Sequence, residues 1–242
     1  MRGRGLALWL LGSLAWSPQG LRAADAPPSG IAWAGSWKAA QEQARASGRP
    51  VLVDFWAEWC HWCHELDRTT YTDPAVVALA ARFVAVKVDA EGSLGEVELV
   101  RRYDVSTLPT IAFLSPHGRL LLRRTAYEDA ARFAATLQAA SAVAEAAAPF
   151  EAALAKNEKD AAALAGLGAL LFDQRLPVAA EELLSKARRL DRSLPLEQRT
   201  RTRDLLIAIA RLSGRDGDVR KLQDEVAALR PADGAAKTSG SR

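Results

Sequence analysis

Sulfur is scarce in this chain. Its 242 residues hold two cysteines, Cys60 and Cys63, and one methionine, Met1. A domain stapled by several spread-out disulfides is thereby excluded, and no thioether ligand is available from the body of the chain. Charge of one sign is missing too. Lys and Arg number 32 against 29 Asp and Glu, a formal charge of +3, and Arg2, Arg4 and Arg22 account for that excess. Loss of a leader containing them would bring the balance to zero. The arginines in Gln198 to Asp204 and at Arg188 and Arg189 have no interleaved aromatics. They read as a solvated helix face, so nucleic-acid binding is not expected.

Long apolar runs are also absent, save one near the start. Leu6 to Trp16 follows Arg2 and Arg4 and precedes the small residues Ala23 and Ala24. It falls short of the roughly 20 apolar residues a spanning helix needs. The order charged, apolar, small is that of a cleavable secretory signal over residues 1–23, which predicts an exported, periplasmic mature chain. The rest is ordinary globular sequence, 49% hydrophobic and 25% charged, with length for one large core or two small ones.

Residues 24–35 are rich in Pro, Gly and Ala and read as a linker or arm. Ser36 then offers an N-cap to a short helix that ends before Gly48 and Pro50. Val51 to Ala57 is apolar on both faces, as a central strand must be when helices cover both sides of its sheet. Asp73 and Pro74 start a further helix, Phe83 to Asp89 alternates as a strand, and Gly95 to Asp104 fits a helix. Thr110 to Leu114 and Arg119 to Arg124 form a hairpin about the turn Ser115-Pro116-His117-Gly118. Alternating strands and helices over residues 36–140 predict an α/β layered domain.

Strand signals vanish after Asp129. Leu164, Leu167, Gly168 and Leu171, followed by Ala180, Leu184 and Ala187, fit the tetratricopeptide pattern of small and bulky residues. One period of about 34 residues upstream stand Ala146, Phe150 and Ala153, an internal echo. Residues 141–230 are therefore expected to form an all-α, tetratricopeptide-like domain, a class that more often docks peptides or proteins than performs chemistry. Residues 231–242 read as a disordered tail.

The cysteines stand two residues apart in Cys60-His61-Trp62-Cys63-His64. A bridge there closes almost no chain and adds little stability, so chemistry is its reason. Cys60 at the mouth of a helix is stabilised as a thiolate by backbone N–H groups and the helix dipole, against a free-thiol pKa of about 8.5. It attacks a disulfide, and Cys63, one turn deeper, resolves the mixed disulfide. The exchange needs neither metal nor organic cofactor.

The stretch VLVDFWAEWC, the second cysteine, the KVD at Lys87 to Asp89 and Leu108-Pro109-Thr110 closely resemble the thioredoxin family over residues 36–140. The resemblance implies a thioredoxin fold, a mixed sheet flanked by helices, with Cys60 as nucleophile and Cys63 as resolving thiol. It further implies Asp54 as a buried carboxylate assisting proton transfer at Cys63, Lys87 near that carboxylate, and Pro109 as a cis-proline beside the disulfide. Cys63 through Val77 looks like the longer segment of exported DsbD-type interchange proteins. His61-Trp62 departs from the Gly-Pro of thioredoxin itself, and that dipeptide helps set the redox direction.

An unpaired carboxylate in an apolar strand is costly, which independently favours a functional Asp54. Trp59, His61 and Trp62, with Leu108 and Thr110, are expected to present a rim to substrate proteins bearing disulfides or thiols, and an upstream redox protein is expected to renew the pair. Trp33 and Trp37 read as packing or arm-docking residues. Other readings of the same residues stand beside this one. The dithiol could be structural or idle. Cys60 through His64 also fits the C-x-x-C-H haem signature, though only His61 or His117 would then remain as an opposite ligand. Zinc could be held by the two thiols and two histidines, though Cys60 and His61 cannot easily face one ion and no second ligand pair follows. Lastly, the helical part could make the chain a non-catalytic binding or assembly adaptor with a sensory or vestigial dithiol.

Overall fold

A computed structural model describes residues 30–229. The expected leader, residues 24–29 of the expected arm and the tail 231–242 lie outside the described residues. The strands are β1 (Trp33–Ala34), β2 (Val51–Trp56), β3 (Val84–Asp89), β4 (Thr110–Leu114) and β5 (Leu120–Thr125). The helices interleaved with them are α1 (Trp37–Ser47), α2 (His61–Glu65), α3 (Pro74–Ala80) and α4 (Leu94–Arg102). Then follow α5 (Ala130–Lys156), α6 (Ala161–Asp173), α7 (Pro177–Leu190), α8 (Leu196–Leu212) and α9 (Asp216–Leu229).

The five strands form one mixed sheet in the order β1-β3-β2-β4-β5. β2 lies at its centre, parallel to β3 and antiparallel to β4. That position accounts for its apolar character on both faces. Side chains alternate across the pleat. Val51, Val53 and Phe55 pack with Ala40 and Ala44 of α1 and Leu99 of α4. Leu52 faces the opposite layer, with Val76 of α3 and Phe133 and Leu137 of α5. Asp54 and Trp56 share the parity of Leu52, so the strand aims them at that layer.

Local chemistry fixes the element ends. Ser36 accepts the Ala39 N–H at 3.2 Å, and Gly48 closes α1 with a φ of 70°, which suits a residue without Cβ. Asp73 accepts from the N–H groups of Ala75 and Val76, with Pro74 in the first turn of α3. One difference from the sequence reading is β1. Trp33 and Ala34, within the expected arm, pair with Ala85 and Val86, and Ile31 N–H donates to Tyr71 O at 3.1 Å. A two-residue edge strand has no alternating run to announce it.

α5 runs unbroken through the expected division at 140/141. Its first half places Phe133, Leu137 and Ala140 under the sheet, and its second half places Val143 and Ala147 in a separate apolar core with Leu164, Leu167, Leu171, Leu183 and Leu184. At Gly168 an added Cβ would sit 2.7 Å from Leu184 Cγ, so the missing side chain lets α6 and α7 approach. The architecture, a mixed sheet flanked by helices and followed by a helical region, is the one expected from the sequence. No helix among the described residues is long and apolar enough to cross a membrane.

Candidate active site

β2 delivers the chain to the cysteines. Past Trp56, Cys60 N–H donates to Ala57 O at 3.0 Å and the backbone at Cys60 stays extended, making it the N-cap of α2. Its Sγ accepts the Cys63 N–H at 3.2 Å. The same N–H also donates to Cys60 O at 3.0 Å, and the sulfur meets the positive end of a helix that continues from α2 into a π-helical turn over Leu66–Thr70. The two cysteines are joined in a disulfide with Cα atoms 5.3 Å apart. They are not equivalent: Cys60 retains 4% exposure and Cys63 none. Both pack with Ala57, Trp56 and Leu108.

The Leu108–Pro109 peptide is cis. Pro109 is buried, and its carbonyl accepts the Ala126 N–H at 3.0 Å. Leu108 is half-buried against the disulfide. Thr110 departs from the expected substrate rim. It is buried, and its hydroxyl donates to Thr107 O at 2.7 Å, so the side chain closes its own loop and offers a substrate no group.

Around the disulfide, Trp59 and Trp62 are 66% and 52% exposed, high values for indoles. Trp59 Nε1 donates to Glu91 Oε1 at 2.9 Å, which steadies the ring beside the cysteines. Trp62 lies between exposed His61 and Tyr127, with ring centroids 5.3 Å away in each case. Tyr127 was not foreseen. It follows Ala126, whose φ of 75° turns the chain after β5 back toward the site, and no local pattern announces a contact across such a separation. His64 points elsewhere, with Nε2 2.7 Å from Glu58 O.

Against one face of the sheet lies a charged cluster on its inner strands β2 and β3. Asp54 is fully buried and stands opposite Lys87 in the β2/β3 register. Lys87 Nζ is 3.3 Å from Asp54 Oδ2 and 2.5 Å from Asp67 Oδ1. The same ammonium sits 5.3 Å from the ring centroids of Trp33 and Trp56 and 5.7 Å from that of Tyr71. Burial pushes the Asp54 carboxyl up to about 6, against the opposing pull of the Lys87 cation. A carboxyl that exchanges a proton near neutral pH is suited to acid–base work. Asp67 was missed by the sequence reading, although its place one turn after Cys63 on a continuing helix was a usable signal.

Comparison with known proteins reaches the same part of the chain. Residues 32–116 match the family model described as Thioredoxin-like. The thiol:disulfide interchange protein DsbD of Salmonella typhi is 35% identical over 100 residues, which is 40% of this chain and 18% of that one. DsbD of Klebsiella pneumoniae is 36% identical over 101 residues, 40% of this chain and 17% of that one. The chain thus spans less than a fifth of the length of these curated relatives. Among solved structures, a thioredoxin from Thermus thermophilus aligns with a TM-score of 0.44 and 30% identity over 48% of this chain and 92% of that one. The C-terminal domain of Neisseria meningitidis DsbD in its reduced form aligns at 0.37 and 25% over 42% and 90%. Residues 32–116, which hold the Cys60–Cys63 pair, thus match a thioredoxin-like family model.

Proposed function

We propose that this chain is an exported thiol–disulfide oxidoreductase that reduces or exchanges disulfides in protein partners. The observation that carries the reading is the asymmetric cysteine pair at a helix N-terminus, Cys60 4% exposed and Cys63 not at all, with Cys60 Sγ accepting the Cys63 N–H and the exposed Trp59 and Trp62 next to the cysteines in the chain. In the reduced protein the Cys60 thiolate attacks a substrate disulfide. One S–S bond breaks, a mixed disulfide forms, and the first substrate sulfur leaves as a thiolate. Cys63 then gives its proton to Asp54 and attacks Cys60 Sγ. The second substrate sulfur leaves, and the Cys60–Cys63 disulfide remains. Two electrons have moved to the substrate, and a thiol-bearing redox protein must return them.

Trp59, His61, Trp62 and Leu108 offer an apolar and aromatic face to an extended or unfolded segment of the partner, and Tyr127 completes it. Pro109 is assigned a place beside the pair, next to Leu108, which packs against the cysteines. Reduction or interchange is favoured over net oxidation by the likeness of residues 63–77 to the DsbD-type segment. The helical region is assigned a tetratricopeptide-like role, holding the protein partner while the dithiol acts. Export to the periplasm rests on the signal-like start of the sequence.

Insulin reduction by the full mature chain tests the assignment. Cys60→Ser should abolish turnover, whereas Cys63→Ser should accumulate partners as mixed disulfides through Cys60. Full exchange activity in Cys60→Ser would overturn the roles.

A further inference from the structure

Where the sheet region gives way to the helical region runs a hollow that the exchange reaction does not use. It lies at the far end of β4 from the cysteines: Leu108, just before that strand, packs with the disulfide, whereas His117, in the turn just after it, lines the hollow. The strand itself spans about 17 Å. One part of the hollow, about 630 Å³, has an apolar floor of Leu154 on α5, Leu164 on α6, and Leu183 and Leu190 on α7. The other, about 620 Å³, lies between Pro50, Pro116 and Leu121 on one side and Ala144, Ala148 and Ala152 of α5 on the other. The two parts meet at His117 and Glu151, so a single groove follows α5 from Ser141 to Lys159. At the rise of a helix that stretch is about 27 Å long, the length of about eight residues of extended chain. The shape is that of a polypeptide segment and is too long for a compact small molecule.

Charge fixes the character of the occupant. Four cations, Arg119, Lys159, Lys186 and Arg189, line the first part against two carboxylates, Glu151 and Glu158. Arg119 is spent on the buried Glu151 at 2.7 Å, and Lys186 on Glu182 at 2.6 Å. Lys159 and Arg189 are exposed and make no ion pair among the described residues, and the one lining carboxylate left to oppose them is Glu158. An apolar floor beneath an excess of cations is complementary to a segment in which bulky apolar side chains alternate with carboxylates. The chain's own residues 230–242 have the wrong sign, with three cations and one carboxylate. We propose that the groove is a docking site for an extended, acidic and apolar segment of the protein partner. This deepens the assignment of the helical region as the holder of the partner, and rests on it. A partner held at this end of the sheet is tethered near the cysteines at the other, and tethering raises the local concentration of its disulfide.

The test uses the full mature chain in its disulfide form. The probe is a fluorescein-labelled nonapeptide of alternating leucine and glutamate, without cysteine, followed by fluorescence anisotropy; a leucine–lysine peptide of the same length is the control. The acidic peptide should bind, more weakly as salt is added, and the lysine peptide should not. Lys159→Glu combined with Arg189→Glu should weaken binding about tenfold, the size of two exposed ion pairs. Ala155→Trp, at an exposed position on the groove wall, should block the peptide without touching any charge. An affinity that neither variant moves overturns the proposal. Placing a photoreactive benzoylphenylalanine at the centre of the peptide should crosslink it to residues 144–190, whereas crosslinks confined to Trp59, Trp62 or Tyr127 would put the peptide on the rim of the dithiol and overturn the proposal. So would a concentration-dependent dimer that Ala155→Trp dissolves in sedimentation, since a second copy would then fill the groove. Insulin reduction by the same chain is read separately. Its absence would fault the redox reading and leave the groove standing, and an unmoved peptide affinity in the variants would fault the groove alone.

Discussion

The sheet region and the helical region each bury a carboxylate, and they treat it in opposite ways. In the helical region Asp191, 4% exposed, receives Arg203 Nη1 at 2.5 Å and Arg199 Nε at 3.5 Å. Arg203 also reaches Glu225 at 3.0 Å, and Arg188 meets the same glutamate at 2.8 Å, so α7, α8 and α9 are laced by charges that satisfy one another. In the sheet region Asp54 is as deeply buried, yet it shares one lysine with Asp67 and holds its proton until about pH 6. A satisfied buried charge positions helices, whereas an under-satisfied one stores a proton affinity that chemistry can use.

That contrast can be broken by mutation. Arg203→Ala leaves Asp191 and Glu225 short of a partner and should cost about 3 to 5 kcal/mol in urea unfolding, close to the whole stability of many domains. Asp54→Asn should do the reverse, and only at the right pH. Below pH 3.8, the ordinary value, the carboxyl is neutral in folded and unfolded states alike; above about 6 it is charged in both, and the folded state bears the cost of burying that charge. The wild-type chain therefore loses stability as pH rises through about 6, and the asparagine variant should be more stable by up to about 3 kcal/mol at pH 8 and by almost nothing at pH 3.5. If Asp54→Asn destabilises at pH 8, the carboxylate is structural like Asp191. A smaller effect marks the packing of the helical region: Gly168→Ala puts a Cβ 2.7 Å from Leu184 Cγ and should cost about 1 to 3 kcal/mol, read as a lower Tm.

What the sequence made legible follows from how local each signal is. Ser36, Gly48, Asp73 and Pro74 act within one helical turn of themselves, so the bounds of α1 and of the start of α3 could be read directly. The even apolar character of Val51 to Trp56 placed a central strand, and its end led to Cys60. The groups that surround the cysteines come from farther away. Tyr127 meets Trp62, and Tyr71 meets the lysine that pairs with Asp54, through the fold's topology and not through any spacing in the chain. β1 is too short to carry a pattern, and α5 serves both cores in one helix, so composition could not mark where one core gives way to the other.

The account stands on the inequality of the two sulfurs. After gentle reduction, alkylation of the full mature chain at a series of pH values, mapped by mass spectrometry, reads each cysteine separately. Cys60, at the helix mouth and 4% exposed where Cys63 is 0%, should be modified first at every pH and with the lower midpoint, below the value of about 8.5 for a free thiol. Equal modification of the two, or Cys63 reacting first, would contradict it.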